Sequence, residues 1–295
     1  MEIIREVNEM RNIIKLLKQG QKKIGFVPTM GFFHDGHLLL MKKAKEENDT
    51  VVSSVFVNPL QFGPNEDFDR YPRNEEEDIR KAEYVGVDFL FIPPLDEMYP
   101  QKMQITMTIN DRIDVLCGKA RPGHFDGVIT VVTKLFHITQ PDQVYFGMKD
   151  AQQVAVIDAL INNLNFPISL IGLPTVREED GLAKSSRNVN LSKRERAQAN
   201  WLYKALKHGH QLVVDGEFNP AIIIKEINNI ISNNTDGKID YIEVLSYPEL
   251  KPVSDMNQQV IIALAVQFER ARLIDNLLLN EDGDIIRFWK QEESQ

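Results

Sequence analysis

Apolar runs alternate with amphipathic stretches along roughly the first 175 residues. Residues 5–19 carry apolar side chains at helical spacing and are followed by Gly20, which predicts a first helix. Short apolar runs, rich in β-branched residues, then predict strands at 24–27, 51–57, 87–92, 143–146 and 168–171. Helical patterns lie between them at 38–47, 75–85, 127–138 and 150–163. Buried strands that alternate with helices predict a parallel sheet covered on both faces.

The pattern changes after Gly181. Two helical stretches, at 192–214 and 219–232, are followed by three strand-like segments at 239–246, 258–267 and 271–278. Helices followed by consecutive strands predict an α+β unit with an antiparallel sheet. The predicted fold class is therefore α/β, with a Rossmann-like parallel sheet domain at 1–176 and a smaller α+β domain with an antiparallel sheet at 177–295.

Composition narrows the classes of function. The chain has 34 basic and 43 acidic residues and a net charge of −9, which argues against a general binder of nucleic acid or of anionic membranes. Cys117 is the single cysteine, so neither an intramolecular disulfide nor a cysteine-based zinc cluster is expected. Charges interrupt the apolar residues at 1–8, so we expect no signal peptide and no membrane span. These observations predict a cytoplasmic protein.

The turn after the strand at 24–27 contains His34-Asp35-Gly36-His37 and leads into a helix. The N–H groups at a helix start attract anions, and imidazoles can donate hydrogen bonds to phosphate oxygens. An alternative is that one histidine caps the helix and the other packs against the fold. Zinc fits less well, because no third ligand accompanies the two imidazoles. The turn alone therefore predicts a phosphate site without excluding a structural role.

Three other loops carry polar residues where the predicted strands end. Gln61 follows the second strand of the pattern, and Lys149 and Asp150 follow the strand at 143–146. Lys184-Ser185-Ser186-Arg187 could surround a polyphosphate with two cations and two hydroxyls, although a solvated linker would have the same composition. The chain contains no Walker A sequence, no Gly-x-Gly-x-x-Gly after a strand and no Gly-x-Ser-x-Gly. These absences weaken the P-loop, dinucleotide-dehydrogenase and serine-hydrolase interpretations.

Taken together, the ordered motifs resemble the pantothenate synthetases, within the nucleotidylyltransferase superfamily that shares the HxGH motif. The resemblance rests on Phe-Val-Pro-Thr-Met-Gly at 26–31, His-Asp-Gly-His at 34–37, Val-Phe-Val-Asn-Pro-Leu-Gln-Phe at 55–62, Arg-Pro-Gly-His-Phe-Asp-Gly-Val at 121–128, Lys-Asp-Ala-Gln-Gln at 149–153, Lys-Ser-Ser-Arg-Asn at 184–188 and Ala-Arg-Leu-Ile-Asp-Asn at 271–276. It spans the first predicted domain and continues into the second.

The resemblance implies a two-step reaction. ATP and pantoate would give pantoyl adenylate and pyrophosphate, and the amine of β-alanine would then displace AMP to form the amide pantothenate. It also implies Mg²⁺ and a homodimer, with pantoate, β-alanine and ATP as small-molecule partners and neither nucleic acid nor a membrane among them. Two other functions remain open: a nucleotidylyltransferase that leaves AMP or CMP on a phosphorylated product, and a catalytically silent binding module.

The resemblance also implies site residues. His37, as the proton donor, with His34 and Lys149 would be catalytic, and the backbone of Val176 would bind adenine. Gln61, Gln153 and Asn58 would serve pantoate and β-alanine, and the ligands of the metal ion stay unassigned. The ATP site would comprise Met30, Gly31, Phe32, Phe33, His34, Asp35, Gly36, His37, Gly147, Met148, Lys149, Asp150, Val176, Lys184, Ser185, Ser186 and Arg187.

Two positions depart from the family pattern. Phe33 stands where leucine is common, and Met148 stands where an acidic or amide residue is common. We expect Phe33 to change packing only. At Met148 the loss of a polar side chain is expected to change how the loop that begins at Gly147 is held.

Overall fold

The computed structural model describes residues 1–64, 66 and 68–291. Residues 292–295 of the predicted second domain lie outside the described residues. The elements of the first part are β1 Glu2–Ile4, α1 Val7–Gln19, β2 Ile24–Thr29, α2 Asp35–Glu47, β3 Thr50–Val55, α3 Glu75–Tyr84, β4 Phe89–Phe91, α4 Leu95–Met98, α5 Leu116–Ala120, α6 His124–Thr139, β5 Gln143–Gly147, α7 Ala151–Asn163 and β6 Ser169–Leu173. They are followed by α8 Lys193–Ala199, α9 Trp201–Val214, α10 Pro220–Asn234, β7 Lys238–Ser246, β8 Val260–Gln267, β9 Arg272–Leu279 and β10 Trp289–Lys290.

A seven-stranded sheet forms the larger part of the molecule, in the order β1-β4-β3-β2-β5-β6-β10. Strands β1 to β6 are parallel, and β10 pairs with β6 in the antiparallel direction. The predicted strands are mostly apolar because helices cover both faces of this sheet. The α/β fold class predicted from the sequence is confirmed.

The order of the strands sets where ligands can bind. Strand β2 lies between β3 and β5, so the chain leaves β2 towards one side of the sheet and later returns to its other side. In open α/β sheets, such a switch point leaves a crevice at the carboxyl ends of the two neighbouring strands. The turn after β2 and the loop after β5 both begin there.

The second sheet is antiparallel and contains β7, β8 and β9 in that order. Its helices α9 and α10 pack together on one face, which confirms the prediction of helices and an antiparallel sheet. The opposite face of β8 does not meet solvent, because Ile261 and Ala263 lie in the core of the larger sheet's layer. Ile262 and Leu264 point the other way into the second core. The small sheet is therefore packed on both faces.

The structure differs from the sequence-based elements at several points, and the short helices α4 and α5 are among the elements that were not predicted. The helix predicted over 192–214 breaks at Asn200 into α8 and α9. The strands β1 and β10 were not predicted, because segments of three and two residues carry too little periodicity to be recognised. Strand β10 falls within the range predicted for the second domain, yet it extends the sheet of the first.

Trp289 provides a test of this returning strand. Its side chain is 7% exposed and lies edge-on against Tyr247, with ring centroids 5.6 Å apart. We expect Trp289→Ala to lower the free energy of unfolding by about 3–5 kcal/mol, because removal of a large buried aromatic leaves a cavity. Urea denaturation followed by circular dichroism measures the change.

The neighbouring Phe288 is the matched control, since its side chain is 64% exposed. Phe288→Ala should change the free energy of unfolding by no more than about 0.5 kcal/mol. Equal effects of the two substitutions would contradict the packing of β10 against the large sheet.

Candidate active site

The turn between β2 and α2 is held by a carboxylate from another helix. Gly31 and Phe32 both have positive φ, at 82° and 53°, a conformation that a side chain such as that of Phe32 adopts only under constraint. Asp78 of α3, whose side chain is 2% exposed, supplies that constraint: its carboxylate oxygens accept hydrogen bonds from Phe32 N at 2.8 Å and from Phe33 N at 2.6 Å. Lys81 Nζ donates to Phe33 O at 2.7 Å. The path of this turn therefore depends on α3.

Both histidines of the turn cap α2. His34 Nδ1 accepts a hydrogen bond from Gly36 N at 3.1 Å, and His37 Nδ1 accepts one from His34 N at 3.3 Å. The rings stack with centroids 4.1 Å apart and planes 27° apart. A ring nitrogen that accepts cannot carry the proton of a neutral imidazole, so each ring bears its hydrogen on Nε2. The turn thus presents two N–H donors at the start of a helix, where an anion is favoured.

The same two rings are held neutral. Burial lowers the pKa of His34 to about 4, and the positive charge of Lys149 adds to the effect. Burial also holds the pKa of His37 well below the ordinary value of 6.5, with further lowering by His34 and Lys149. In the chain alone, both imidazoles are hydrogen-bond donors without charge at neutral pH. A bound polyanion would raise both pKa values by favouring the protonated rings.

Gln61 follows β3 in a short 3₁₀ turn, and its amide is oriented by Asn58. Asn58 is 1% exposed and donates from Nδ2 to Gln61 Oε1 at 3.2 Å and to Gly127 O at 3.0 Å. Its Oδ1 accepts from Leu60 N and from the hydroxyl of Tyr99. All of Asn58's amide groups are thereby engaged within the chain, while the hydrogen-bond partner of Gln61 Nε2 among the described residues is Met30 Sδ, at 3.2 Å. Gln61 can therefore offer N–H to a ligand, and a direct ligand contact of Asn58 stays a prediction.

The loop after β5 holds Gly147, Met148, Lys149 and Asp150. Met148 is buried, and its sulfur would lie 2.5 Å from a Cβ placed on Gly172. Lys149 Nζ lies 3.8 Å from a carboxylate oxygen of Asp150. The side chain of Met148 thus packs into the core, and its thioether is too weak an acceptor to hold the loop by a strong hydrogen bond.

The segment predicted to surround polyphosphate follows a hairpin in which Lys184 N donates to Val176 O at 2.9 Å. Lys184 Nζ forms ion pairs with Asp35 at the start of α2 and, at 3.6 Å, with Glu178. Ser185 caps the 3₁₀ helix 186–190 by accepting from Arg187 N at 3.3 Å. The segment therefore lies beside the His34 turn, as the crevice at the switch point requires.

A cavity of about 1130 Å³ lies between the two sheets. The walls include Lys149, Asp150, Gln153, Ser185 and Arg187. The residues that line the cavity do not include the other predicted residues, which are Met30, Gly31, Phe32, Phe33, His34, Asp35, Gly36, His37, Asn58, Gln61, Gly147, Met148, Val176, Lys184 and Ser186. Lys184, which forms an ion pair with Asp35 at the start of α2, directly precedes Ser185 of this wall, so the turn after β2 lies near the cavity.

The two adjacent glutamines of α7 have different environments. Gln152 donates from Nε2 to Arg112 O and Val115 O, both at 2.9 Å, and accepts from Gly118 N. Within the part of the chain that the structure describes, the Gln153 side chain has no hydrogen bond, and it faces the cavity. Gln153 is therefore the member of the pair that is free to bind a ligand.

A network at the start of α6 involves residues of the 121–128 motif to which the sequence assigned no role. His124 Nδ1 lies 2.7 Å from Gln61 O, and Arg121 Nη1 lies 3.0 Å from His124 Nε2. Arg121 also pairs with Glu66, with 2.7 Å between Nε and Oε1. Because arginine only donates, Nε2 of His124 must accept and Nδ1 must carry the proton. The network fixes the backbone of Gln61. In the sequence, the only signal for Arg121 and His124 was their position in the 121–128 motif.

Among residues 1–64, 66 and 68–291, no group of three or more histidine, cysteine, aspartate or glutamate side chains is arranged to hold a metal ion. No helix in the same ranges is long and apolar enough to cross a membrane.

Comparison with known proteins identifies the family. The model of the family described as pantoate-beta-alanine ligase matches residues 2–278. The chain belongs to this family. It is 56% identical over 280 residues to the pantothenate synthetase of Geobacillus sp. (strain WCH70), which covers 95% of this chain and 99% of that protein. The pantothenate synthetase of Bacillus subtilis (strain 168) is 52% identical over 280 residues, with 95% and 98% covered.

Solved structures agree with the sequence relatives. Pantothenate synthetase from Thermus thermophilus is similar with a TM-score of 0.89 at 42% identity, over 94% of this chain and 99% of that one. The pantoate-beta-alanine ligase from Francisella tularensis, solved in complex with beta-gamma ATP and beta-alanine, has a TM-score of 0.77 at 37% identity, over 94% and 97%. The resemblance inferred from the motifs is confirmed, and the chain is an enzyme that joins pantoate to β-alanine to give pantothenate.

The pH dependence of stability tests the neutral His124. Burial, with the charge of Arg121, lowers the pKa of His124 to about 4. The unfolded ring, with an ordinary pKa near 6.5, takes up a proton first as the pH falls, so the folded state loses stability between about pH 6.5 and pH 4. His124→Asn keeps a donor to Gln61 O and removes the titration. Between pH 7 and pH 5 the variant should lose about 1–2 kcal/mol less unfolding free energy than the wild type.

Urea denaturation at the two pH values measures this difference, and His208, which is exposed on α9, supplies the control. His208→Asn should keep the pH dependence of the wild type. A His124→Asn variant that loses as much stability as the wild type would show that His124 is protonated in the folded protein.

Proposed function

We propose that the chain uses ATP to activate pantoate before β-alanine attacks. A pantoate carboxylate oxygen would form a bond to the α-phosphorus as the bond to pyrophosphate breaks. The amine of β-alanine would then attack the acyl carbon, lose a proton and release AMP. The observation that carries this proposal is the pair of neutral imidazoles with Nε2–H donors, which cap α2 next to Lys149. The Francisella tularensis relative complexed with beta-gamma ATP and beta-alanine supports the choice of ligands.

Phosphate binding would fall to the cations around the turn. Lys149, Lys184 and Arg187 would contact the triphosphate, and the hydroxyls of Ser185 and Ser186 would donate to it. Met30 to His37 would line the phosphates with backbone N–H groups. Gly147 and Asp150 would bind the ribose, with the backbone of Met148 between them, and the backbone of Val176 would bind adenine.

His37 and His34 would stabilise charge that develops on the α-phosphate. A neutral Nε2–H donor aimed at an oxygen can strengthen its hydrogen bond as negative charge grows in the transition state, without the cost of burying a cation beforehand. As ATP would raise the pKa of both rings, His37 would also be able to pass a proton to the leaving group. This role accords with the capping bond, which holds its Nδ1 inward.

Pantoate would be held by neutral groups. Gln61, whose Oε1 accepts from Asn58 and whose Nε2 is thereby oriented, and Gln153, which faces the cavity, would bind its hydroxyls and carboxylate. An amide does not compete for the lone pairs of the carboxylate as strongly as a cation would, so the carboxylate remains nucleophilic. Gln61 would also lie near β-alanine, and Asn58 would act on these substrates by holding Gln61.

Four further features belong to this proposal. Mg²⁺ would accompany ATP, since this ion keeps several of its waters and binds largely through the phosphate oxygens of a nucleotide. The chain would form a homodimer and act in the cytoplasm. Residues 1–176 would form the domain that binds ATP and pantoate, and residues 177–295 would form a lid.

His37→Ala tests the central role. We expect adenylate formation, measured as pyrophosphate release with ATP, Mg²⁺ and pantoate, to fall by about 10²-fold, because a preorganised donor to the transition state is lost. His137→Ala, at an exposed histidine of α6, is the control and should keep the rate of the wild type. Thermal unfolding of both variants establishes that they are folded. A His37→Ala rate within twofold of the wild type would remove His37 from the mechanism.

Omission of each reactant in turn tests the order of the two steps. With ATP, Mg²⁺, pantoate and β-alanine present, we expect AMP and pyrophosphate in equal amounts with pantothenate. Without β-alanine, pyrophosphate should appear in a single burst that matches the enzyme concentration. Release of ADP and phosphate would contradict an adenylate, and nucleotide transfer to a phosphorylated acceptor would favour the nucleotidylyltransferase alternative.

A further inference from the structure

The side-chain amide of Asn276 joins the small sheet to the loop after β5. Asn276 lies on β9 and is 8% exposed. Its Nδ2 donates to Met148 O at 2.9 Å and to Lys149 O at 3.0 Å. Both hydrogens of one amide are thereby used on consecutive carbonyl oxygens of the same loop. Few other side chains could do this, because two donors on a single short, rigid group are required.

The loop lacks side-chain support of its own. The N-cap residue of the 3₁₀ turn Met148–Asp150 is Gly147, which has no side chain, and that of the following helix α7 is Asp150, whose side chain makes no capping hydrogen bond. Met148 packs into the core next to Gly172. Position 148 therefore has no polar side chain that could support the loop. The backbone carbonyl groups of Met148 and Lys149 are instead held by Asn276 of β9.

The position of this loop controls the charges in the cavity. Lys149 and Asp150 both line the cavity wall. Lys149 also acts on His34 and His37, since its charge contributes to their lowered pKa values. A displacement of the loop backbone by about 1 Å would move the ammonium group relative to both rings, and such shifts are costly in a preorganised site.

The residue before Asn276 holds the second segment of the cavity. Asp275 pairs with Arg177 through two hydrogen bonds of 2.6 and 2.9 Å, and Asp275 is almost fully buried. Arg177 begins the hairpin that leads to Lys184. Two adjacent residues of one strand therefore contact two of the three segments that the proposed function assigns to ATP.

We propose that Asn276 is a positioning residue for ATP: by holding the carbonyl groups of Met148 and Lys149, it keeps the Lys149-Asp150 loop in the arrangement that binds the nucleotide. The inference rests on the proposed roles of Lys149 and Asp150. Without the two hydrogen bonds, only a fraction of molecules would carry the loop in the competent arrangement, and the apparent affinity for ATP would fall by that fraction.

Asn276→Leu tests the inference, because leucine keeps most of the volume and removes both donors. Two lost hydrogen bonds should raise KM for ATP by about tenfold, while KM for β-alanine stays within about twofold. Asn234→Leu is the matched control: Asn234 of α10 also donates from Nδ2 to a backbone carbonyl, Ile230 O at 2.7 Å, and does not line the cavity. Its KM for ATP should equal that of the wild type. Asn276→Ser retains one donor on a shorter side chain and should raise KM for ATP by a smaller factor. If Asn276→Leu does not fold, an unaltered KM for ATP in Asn276→Ser would overturn the inference.

A double-mutant cycle with Lys149→Ala separates positioning from a merely structural role. If Asn276 acts through Lys149, the increases in KM for ATP should not multiply in the double variant. Multiplied factors would overturn the inference. An unaltered KM for ATP in folded Asn276→Leu, beside a raised one in Lys149→Ala, would overturn it and leave the proposed function standing. An unaltered KM for ATP in Lys149→Ala would overturn the assignment of Lys149 and, with it, the inference.

Discussion

Burial of β8 on both faces is the constraint on which the arrangement of the site depends. Ile262 and Leu264 point into the second core, while Ile261 and Ala263 point into the core beneath the large sheet. Burial of these apolar side chains is worth about 1.5–3 kcal/mol for each large residue, and the part contributed by the face that carries Ile261 and Ala263 is lost if the two sheets separate. Since β9 pairs with β8 along its whole length, the same packing brings the polar residues of β9 against the loops at the carboxyl ends of β5 and β6. Hydrophobic packing thus stabilises the contact between the two sheets, and hydrogen bonds from β9 fix the positions of the loops that follow β5 and β6.

The hydrogen bonds by which His34 and His37 cap α2 also determine which ring nitrogen of each histidine carries the proton. Capping bonds normally satisfy the free N–H groups of a helix, and serine, threonine, aspartate or asparagine usually provide them. Here His34 and His37 accept through Nδ1, which leaves Nε2 with the proton and points a donor away from the helix. The structural and functional interpretations of the turn are therefore not alternatives. A serine cap would hold α2 equally well and would offer no comparable donor.

The sequence predicted the sheet, the order of its elements and the loops that carry the site, because all of these depend on local periodicity. Contacts between segments that are distant in the sequence could not be predicted from local periodicity. Asp78, which fixes the positive φ of Phe32, lies 46 positions from it and resembles any other acidic residue in the first turns of a charged helix. His124 is connected with Gln61 only because α6 packs against the 3₁₀ turn that follows β3. The expectation for Met148 considered only its side chain. The contacts that hold the loop after β5 are instead made by the backbone carbonyl groups of Met148 and Lys149.

Charge pairing around the cavity favours a polyanion over a single carboxylate. Lys184 is paired with Asp35 and Glu178, and Lys149 lies close to Asp150, so a ligand must replace interactions that these cations already have. A monocarboxylate ligand would only replace the side-chain carboxylate that already pairs with the lysine, so it would gain little binding free energy. A triphosphate carries several charges over a few ångströms, so it can engage several cations at once and compensate for each lost pair. If Lys149 and Lys184 bind ATP as proposed, the same pairing directs pantoate to the uncharged amides of Gln61 and Gln153, where its carboxylate meets no stronger competitor.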